Sequence, residues 1–317
     1  MDFNCPNCKN RQGIITNSYK HHWITCRECG TVTRQRKDHY RYDNWLTRFI
    51  IRNTKLNRVY GHTLLPIKEV IQEEKRFYDY YYDIAKKGIK GTKWEAGNKK
   101  ILSDLKRFGI ELSGKTILDI SGGPGFLTQE VSRVAKRAVV TEFSQYAVDG
   151  MSEALRIEGV KFDYNKDRID QCVDGKFDVI LIAYSVGFCN DLEYFLRHLK
   201  NLMHENSVVY ISYSPPTLGL MIRWQFDEYT YTTCWPVDAV IKQFGAIGMK
   251  EVARDNEGSY PYDMNWFQTK NKNPLASYFL NINKKIGNSY LELALQKDEP
   301  INKELVQKDV IQVFKFL

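Results

Sequence analysis

A glycine-rich turn between an apolar strand and a helix constrains this chain more than any other stretch. The sequence TILDISGGPGF, residues 116–126, places Asp119 near the carboxyl end of the strand. The glycines at 122, 123 and 125 let the backbone turn sharply and approach a ligand, and the helix that follows points its N-terminus at that ligand. This combination is typical of sites that bind an adenosyl group.

Four further apolar runs follow the turn, separated by helical and turn segments. They lie at residues 138–140, 160–162, 177–182 and 208–212. Strands that alternate with helices predict an α/β fold with a mainly parallel sheet, and the ligand of such a fold lies at the carboxyl ends of the strands. Glu142 follows Asp119 by 23 positions, where a doubly wound fold places the acid that accepts hydrogen bonds from ribose hydroxyls.

Residues 115 to about 270 resemble a class I S-adenosylmethionine-dependent methyltransferase. The family pattern is an acid followed by glycines two, four and six positions later. Asp119, Gly123 and Gly125 match it, and Ser121 stands where the first glycine is usual. The resemblance implies a Rossmann-like, seven-stranded sheet with helices on both faces. Nicotinamide-binding proteins are the nearest alternative, but this turn does not meet their G-x-G-x-x-G spacing.

The resemblance also implies which residues bind S-adenosylmethionine. Glu142 would hold the ribose hydroxyls, Asp163 would lie near the adenine amine, and Tyr184 and Ser185 would face the methyl group. The predicted cofactor-binding residues are Asp119, Ser121, Gly122, Gly123, Gly125, Glu142, Phe143, Asp163, Tyr164, Tyr184 and Ser185.

Two C-x-x-C knuckles near the N-terminus predict a metal site. Their cysteines are Cys5, Cys8, Cys26 and Cys29. Four thiolates complete a closed tetrahedral site, so we predict a structural Zn²⁺ in a small zinc ribbon. His21 and His22 are alternative ligands. Paired cysteines also fit a disulfide framework, although nothing resembling a secretion signal precedes them.

The net charge is concentrated in the N-terminal part of the chain. Residues 1–60 carry twelve Lys and Arg against four Asp and Glu, which accounts for the whole formal charge of +8. Such a patch attracts polyanions such as RNA, or it is only a solvated surface. No apolar run is long enough to cross a bilayer, so we expect no membrane span and a cytoplasmic protein. The sequence does not indicate an oligomeric state.

The chain divides by composition into four parts. We predict a zinc ribbon over 1–37, a helical linker and cofactor-covering segment over 38–113, a methyltransferase domain over 114–273, and a partly helical extension over 274–317. An aromatic insertion near 214–236 would build the acceptor pocket. The last two strands of the sheet are expected at 248–253 and 265–269, in antiparallel arrangement.

The sequence does not decide the chemical class of the methyl acceptor. Tyr184, Asp227 and Glu228 are candidates for the base that a hydroxyl acceptor needs, and His21 or His22 would be others if the ribbon folds over the cleft. The favoured hypothesis is a small hydroxylated metabolite, such as a sugar or nucleotide-linked sugar of glycan or natural-product biosynthesis. The alternatives are rRNA or tRNA docked by the basic ribbon, and a catalytically inactive scaffold subunit that binds S-adenosylmethionine.

Two motifs of RNA methyltransferases are absent from the expected positions. No N/D-P-P-Y follows the fourth strand, where an adenine amine would be held, and no Pro-Cys nucleophile for pyrimidine carbons is present there. Their absence favours the small-molecule hypothesis over RNA.

Overall fold

The computed structural model describes residues 3–17, 21–36, 93–215, 233–258 and 309–316. The chain divides into two compact units. One unit consists of Met1–Val70, Ser214–Pro236 and Tyr260–Lys308, and the other consists of Ile71–Tyr213, Val237–Ser259 and Asp309–Leu317. The first unit contains a small cysteine-bearing sheet, and the second contains a large α/β sheet. The predicted domain boundaries at residues 37, 113 and 273 stay predictions.

The large sheet has seven strands in the order β10-β11-β8-β7-β4-β5-β6. These strands are β4 (Thr116–Asp119), β5 (Arg137–Glu142), β6 (Glu158–Lys161), β7 (Val179–Ala183), β8 (Val208–Tyr213), β10 (Met249–Gly258) and β11 (Asp309–Phe316). The pairs β4-β5, β4-β7, β5-β6 and β7-β8 are parallel, whereas β11 is antiparallel to both of its neighbours. The strand order therefore reverses direction at β4, because β5 and β6 lie on one side of it and β7 and β8 on the other.

Six helices connect the strands in the described part of the chain. They are α1 (Lys93–Arg107), α2 (Phe126–Ser132), α3 (Gln145–Gly150), α4 (Ile169–Cys172), α5 (Leu192–Leu199) and α6 (Val237–Ala246). Asp191 is the N-cap of α5, where its side chain accepts a hydrogen bond from the backbone N–H of Tyr194 at 3.0 Å. The apolar residues of α5 that repeat at three and four positions are buried, so this helix lies with one face in the core.

Alternate residues of the strands are buried on opposite faces of the sheet. Leu181 of β7 and Val313 of β11 pack in one cluster with Leu105 of α1. Phe314, the next residue of β11, stacks on Phe244 of α6 with the ring centroids 4.0 Å apart. Since successive strand residues point to opposite faces, α1 and α6 cover different sides of the sheet. The prediction of an α/β, Rossmann-like, seven-stranded sheet is confirmed.

The end of this sheet differs from the prediction. The strand expected at 248–253 is present as β10, and its antiparallel neighbour among the described strands is β11, at residues 309–316. The C-terminal extension, expected to be partly helical, thus supplies a central strand between β8 and β10. The segments 38–92 and 259–308, including 265–269, lie outside the described residues.

The small sheet has four strands in the order β1-β2-β3-β9. They are β1 (Gly13–Asn17), β2 (His21–Cys26), β3 (Val32–Arg36) and β9 (Thr233–Cys234), and all neighbours are antiparallel. The β1-β2 pair lies within the segment 1–37 predicted as a ribbon. The pairing of β9 with β3 was not predicted, and it joins the end of the aromatic insertion to the ribbon. Within the described residues, no helix has the length and apolar character of a membrane span.

Truncation of Phe314 tests whether β11 belongs to the core. Phe314→Ala should lower the free energy of unfolding by about 3–5 kcal/mol, because it removes a fully buried ring that stacks on Phe244. Lys315→Ala, at the partly exposed neighbouring position, is the control and should cost less than about 0.5 kcal/mol. Urea unfolding measures both variants, and equal effects of the two substitutions would contradict this assignment of β11.

Candidate cofactor site and cysteine cluster

The turn after β4 is attached to the strands on both of its sides. Ile120 donates its backbone N–H to the Leu181 carbonyl of β7 at 2.8 Å. On the other side, Ser121 N–H donates to Thr141 Oγ1 at 3.0 Å, and Gly122 N–H donates to the Thr141 carbonyl at 3.1 Å. The turn therefore lies at the carboxyl ends of the strands where the sheet order reverses, the usual position of a ligand site in such sheets.

The backbone of the turn explains its composition. Gly123 and Gly125 have φ angles of 58° and 79°, and Ser121 also has a positive φ of 53°. Glycine adopts this left-handed region freely, whereas serine pays about 1 kcal/mol for it. A Cβ on Gly122 would lie 2.5 Å from Asp119 Oδ2, so a side chain does not fit there. A Cβ on Gly123 would meet none of the described residues within 4 Å, so in that part of the chain one side of the turn is open.

Asp119 is enclosed at the base of the turn. Its side chain is 1% exposed, and Oδ2 accepts a hydrogen bond from Thr128 Oγ1 at 2.7 Å. Oδ1 has no hydrogen-bond partner among the described residues. Burial raises the pKa of the Asp119 carboxyl to about 6, against the opposing effect of the Thr128 hydrogen bond. An enclosed carboxylate with one unpaired oxygen is suited to a cationic or N–H-bearing ligand.

Glu142 ends β5 beside the turn and is oriented by the backbone. Its Oε1 accepts hydrogen bonds from the N–H groups of Phe143 at 2.9 Å and Ser144 at 3.5 Å. The Glu142 side chain is 3% exposed, whereas the adjacent Phe143 ring is 44% exposed. Ser144 then caps α3 by accepting a hydrogen bond from Ala147 N. The carboxylate and the exposed aromatic ring thus occupy consecutive positions at the carboxyl edge.

Asp163 lies after β6, and its carboxylate stabilises its own turn. Oδ1 accepts a hydrogen bond from Asn165 N at 2.9 Å, and Oδ2 pairs with Lys166 Nζ at 3.1 Å. The side chain remains 25% exposed. A contact of Asp163 with an adenine amine stays a prediction.

Tyr164 and Ser185 come together beneath the turn. The Tyr164 hydroxyl lies 2.9 Å from Ser185 Oγ, and Ser185 donates to the Ile120 carbonyl at 2.9 Å. Their side chains are buried, with exposures of 5% and 1%. Tyr184, the residue before Ser185, is half-buried and has a positive φ of 56°. Its backbone N donates to the Ser212 carbonyl, so β8 fixes the backbone at this position.

Most of the predicted cofactor-binding residues lie at the carboxyl edge of the large sheet. Two of the three candidate bases are not described: Asp227 and Glu228 lie outside the described residues. Two residues of the site were missed, namely Thr141 and Thr128. The sequence signal for Thr141 was a polar residue within an otherwise apolar strand. The signal for Thr128 was a hydroxyl-bearing residue in the first turn of the helix that follows the glycines.

The four cysteines of the knuckles form one cluster. Cys5 and Cys29 have their sulfur atoms 3.5 Å apart, as do Cys8 and Cys26, and all four lie within 4.8 Å of one another. Tetrahedral zinc with Zn–S bonds of about 2.3 Å requires sulfur separations of about 3.8 Å. Each knuckle is followed by a residue with positive φ, Lys9 in the first and Gly30 in the second. Among the described residues, the cluster contains these cysteines only.

The chain matches a methyltransferase family model and several known proteins. Residues 94–248 match a family model described as a methyltransferase domain. The ubiquinone biosynthesis O-methyltransferase of Pelagibacter ubique is 28% identical over 120 residues, which are 36% of this chain and 50% of that protein. The chain thus spans about half of the length of that relative.

Two more proteins extend the comparison. The ubiquinone biosynthesis O-methyltransferase of Rhizobium rhizogenes is 22% identical over 172 residues, which cover 50% of this chain and 69% of that protein. A TehB-like SAM-dependent methyltransferase structure from Corynebacterium glutamicum is 14% identical and has a TM-score of 0.47, with 78% of this chain and 99% of that chain covered.

The family match covers the same residues that carry the parallel strands and the glycine turn. Strand order, turn and family model agree, and together they identify residues 94–248 as a methyltransferase domain.

Proposed function

We propose that this chain transfers the methyl group of S-adenosylmethionine to a hydroxyl oxygen of a small molecule. The observation that carries the proposal is the turn at 121–125, which, among the described residues, is open at Gly123 and encloses Asp119 with one oxygen that accepts no hydrogen bond. The small-molecule acceptor is supported by two relatives whose names describe O-methyltransferases of ubiquinone biosynthesis. A sugar or nucleotide-linked sugar is one such hydroxylated acceptor.

The residues at the carboxyl edge fit the parts of the cofactor. Asp119 Oδ1 would accept a hydrogen bond from the amino group of the methionine moiety, directly or through one water. Glu142 would accept from the ribose hydroxyls while its Oε1 stays aligned by the Phe143 N–H. The exposed Phe143 ring offers a flat apolar surface for the adenine. Bound S-adenosylmethionine supplies an activated methyl group.

The protein's own task is then mainly to align the acceptor and to exclude water. A hydroxyl acceptor also has to lose a proton, which a positioned side chain accepts. Tyr184 is the proposed acceptor-facing residue, since it follows β7 at the carboxyl edge and its left-handed backbone is held by Ser212. Strained non-glycine residues of this kind cluster at functional sites.

RNA is the second candidate acceptor, and one observation favours it. The whole formal charge of +8 belongs to residues 1–60, the part that contains the ribbon. A basic surface of this strength attracts nucleic acid with a steep salt dependence. An inactive scaffold is disfavoured, because Ser121 takes up the left-handed conformation that the turn needs.

We also propose that Cys5, Cys8, Cys26 and Cys29 hold a structural Zn²⁺. The sulfur atoms are close to the separations that tetrahedral zinc requires, and the burial of Cys5 and Cys26 excludes solvent.

Asp119→Asn is expected to stabilise the ligand-free protein while weakening binding of the product S-adenosylhomocysteine. The folded pKa of Asp119, about 6, lies above its unfolded value, so the contribution of this residue to stability is complete at low pH and is lost as the pH rises through about 6. At neutral pH the ionised carboxylate thus opposes folding by up to about 3 kcal/mol. Urea unfolding should therefore find a larger gain in stability at about pH 7.5 than at about pH 4.5.

Calorimetry tests the binding half of the same expectation. The affinity of the wild type for S-adenosylhomocysteine should fall as the pH is lowered through about 6, since a protonated Asp119 attracts the ligand's ammonium group less. Asp119→Asn should bind weakly with no such dependence. A wild-type affinity that is flat between about pH 5 and 8 would argue against a role for this carboxylate.

The metal proposal predicts about one equivalent of zinc in freshly purified, unchelated protein. Removing the metal with a chelator should speed amide hydrogen exchange at Thr233 and Cys234, because β9 pairs only with β3 of the ribbon among the described strands. Amides of Val179–Ala183, in the large sheet, serve as the control and should stay protected. Metal-free protein with unchanged exchange at β9 would contradict a structural metal.

Transfer of labelled methyl from S-adenosylmethionine into fractionated cell extract tests the acceptor. The proposal predicts label in the small-molecule and glycan pool, with little in RNA. Label confined to RNA would replace the small-molecule proposal with the second candidate, and its transfer should then fall steeply with added salt. Label in neither pool would contradict both acceptors.

A further inference from the structure

A chain of buried hydroxyl groups connects three loops at the carboxyl edge. Ser185 Oγ donates its single hydrogen to the Ile120 carbonyl, 2.9 Å away, because a carbonyl oxygen only accepts. The Tyr164 hydroxyl, 2.9 Å from the same Oγ, therefore donates to Ser185. The chain runs from the loop after β6, through the loop after β7, to the first residue after β4.

The loop after β6 is attached to the loop after β7 at a second point. Asn165 Nδ2 donates to the Phe188 carbonyl at 2.9 Å, and Asn165 Oδ1 accepts from Asn190 N at 2.9 Å. In the sheet, β4 and β5 separate β6 from β7, so strand pairing does not bring these loops together. The side chains of Tyr164 and Asn165 provide the connection.

The ring and the hydroxyl of Tyr164 have separable roles. The ring packs edge-on against Phe195 and Phe162, with centroids 4.8 Å and 5.3 Å apart. These contacts anchor the ring without the hydroxyl. The Tyr164 hydroxyl is directed at Ser185 Oγ, so its effect on a bound ligand is transmitted through that neighbour. Burial also raises its pKa well above the usual value, so the hydroxyl keeps its proton.

We propose that Tyr164 is a positioning residue that aims the glycine turn at the cofactor. Its hydroxyl holds Ser185, and Ser185 holds the carbonyl of Ile120, the residue that enters the turn. The two neighbours of this chain, Ser121 and Tyr184, both have positive φ angles. Small shifts of Ile120 or Ser185 would thus change how the turn and Tyr184 face the ligand. The inference rests on the proposed function, and it gives Tyr164 and Ser185 a supporting role beneath the cofactor.

Tyr164→Phe tests the proposal, because it removes the hydroxyl and keeps the ring. The variant should bind S-adenosylhomocysteine about five- to tenfold more weakly in calorimetry, the loss expected for one buried hydrogen bond. Tyr210→Phe is the matched control. Tyr210 is also buried, in the core cluster beneath α1, and its hydroxyl interacts with the side chains of Asp104 and Ser212. This control should lower the melting temperature and leave the affinity unchanged.

Ser185→Ala separates positioning from general destabilisation. It should weaken binding at least as much as Tyr164→Phe, and the double variant should lose less affinity than the sum of the two single losses, because the two hydroxyls share one hydrogen bond. Additive losses in the double variant, or equal losses in Tyr164→Phe and Tyr210→Phe, would overturn the proposal. So would a Tyr164→Phe variant with wild-type affinity. A wild type that binds no S-adenosylhomocysteine would instead refute the proposed function itself.

Discussion

The attachment of the turn after β4 to its two flanking strands is the constraint on which the site depends. Leu181 holds Ile120 on one side, and Thr141 holds Ser121 and Gly122 on the other. Because these contacts fix the start of the turn to both strands, Gly122 is held over the carboxylate of Asp119. One oxygen of that carboxylate is left without a partner among the described residues, beside the open face at Gly123. The desolvation of Asp119 is a stability cost that a bound cation would relieve.

Both sheets of the chain are completed by strands that come from distant parts of the sequence. The ribbon gains β9 from residues 233–234, and the large sheet gains β11 from residues 309–316. In the large sheet, β11 covers the edge of β8 that the parallel strands leave unpaired. In the small sheet, the pairing of β9 with β3 places the last residues of the aromatic insertion in the same sheet as the strands of the ribbon. The cysteine cluster and the end of the insertion are therefore linked through one hydrogen-bonded sheet.

Local patterns in the sequence predicted the elements that depend on neighbouring residues. The apolar runs, the acid and glycines of the turn, Glu142 and the cysteine knuckles all have short-range signals, and they lie where expected. The place of β11 was not predictable, because an apolar run such as VIQVF does not specify a partner strand about a hundred residues away. The hydrogen bond between Tyr164 and Ser185 was not predictable for a related reason, since the two residues follow β6 and β7, which are not neighbours in the sheet. Uncharged Thr128 and Thr141 resemble ordinary core residues until their partners are known.

Calorimetric titration of S-adenosylhomocysteine into the wild type and Glu142→Ala tests the central claim most directly. The account predicts one binding site in the wild type and an affinity at least about tenfold lower in the variant, because a charge-assisted hydrogen bond to the ribose is lost. Glu158→Ala, in the partly exposed ion pair with Arg137 on the same sheet, should bind as the wild type does. Wild-type affinity in Glu142→Ala would contradict the assignment of this edge of the sheet as the cofactor site.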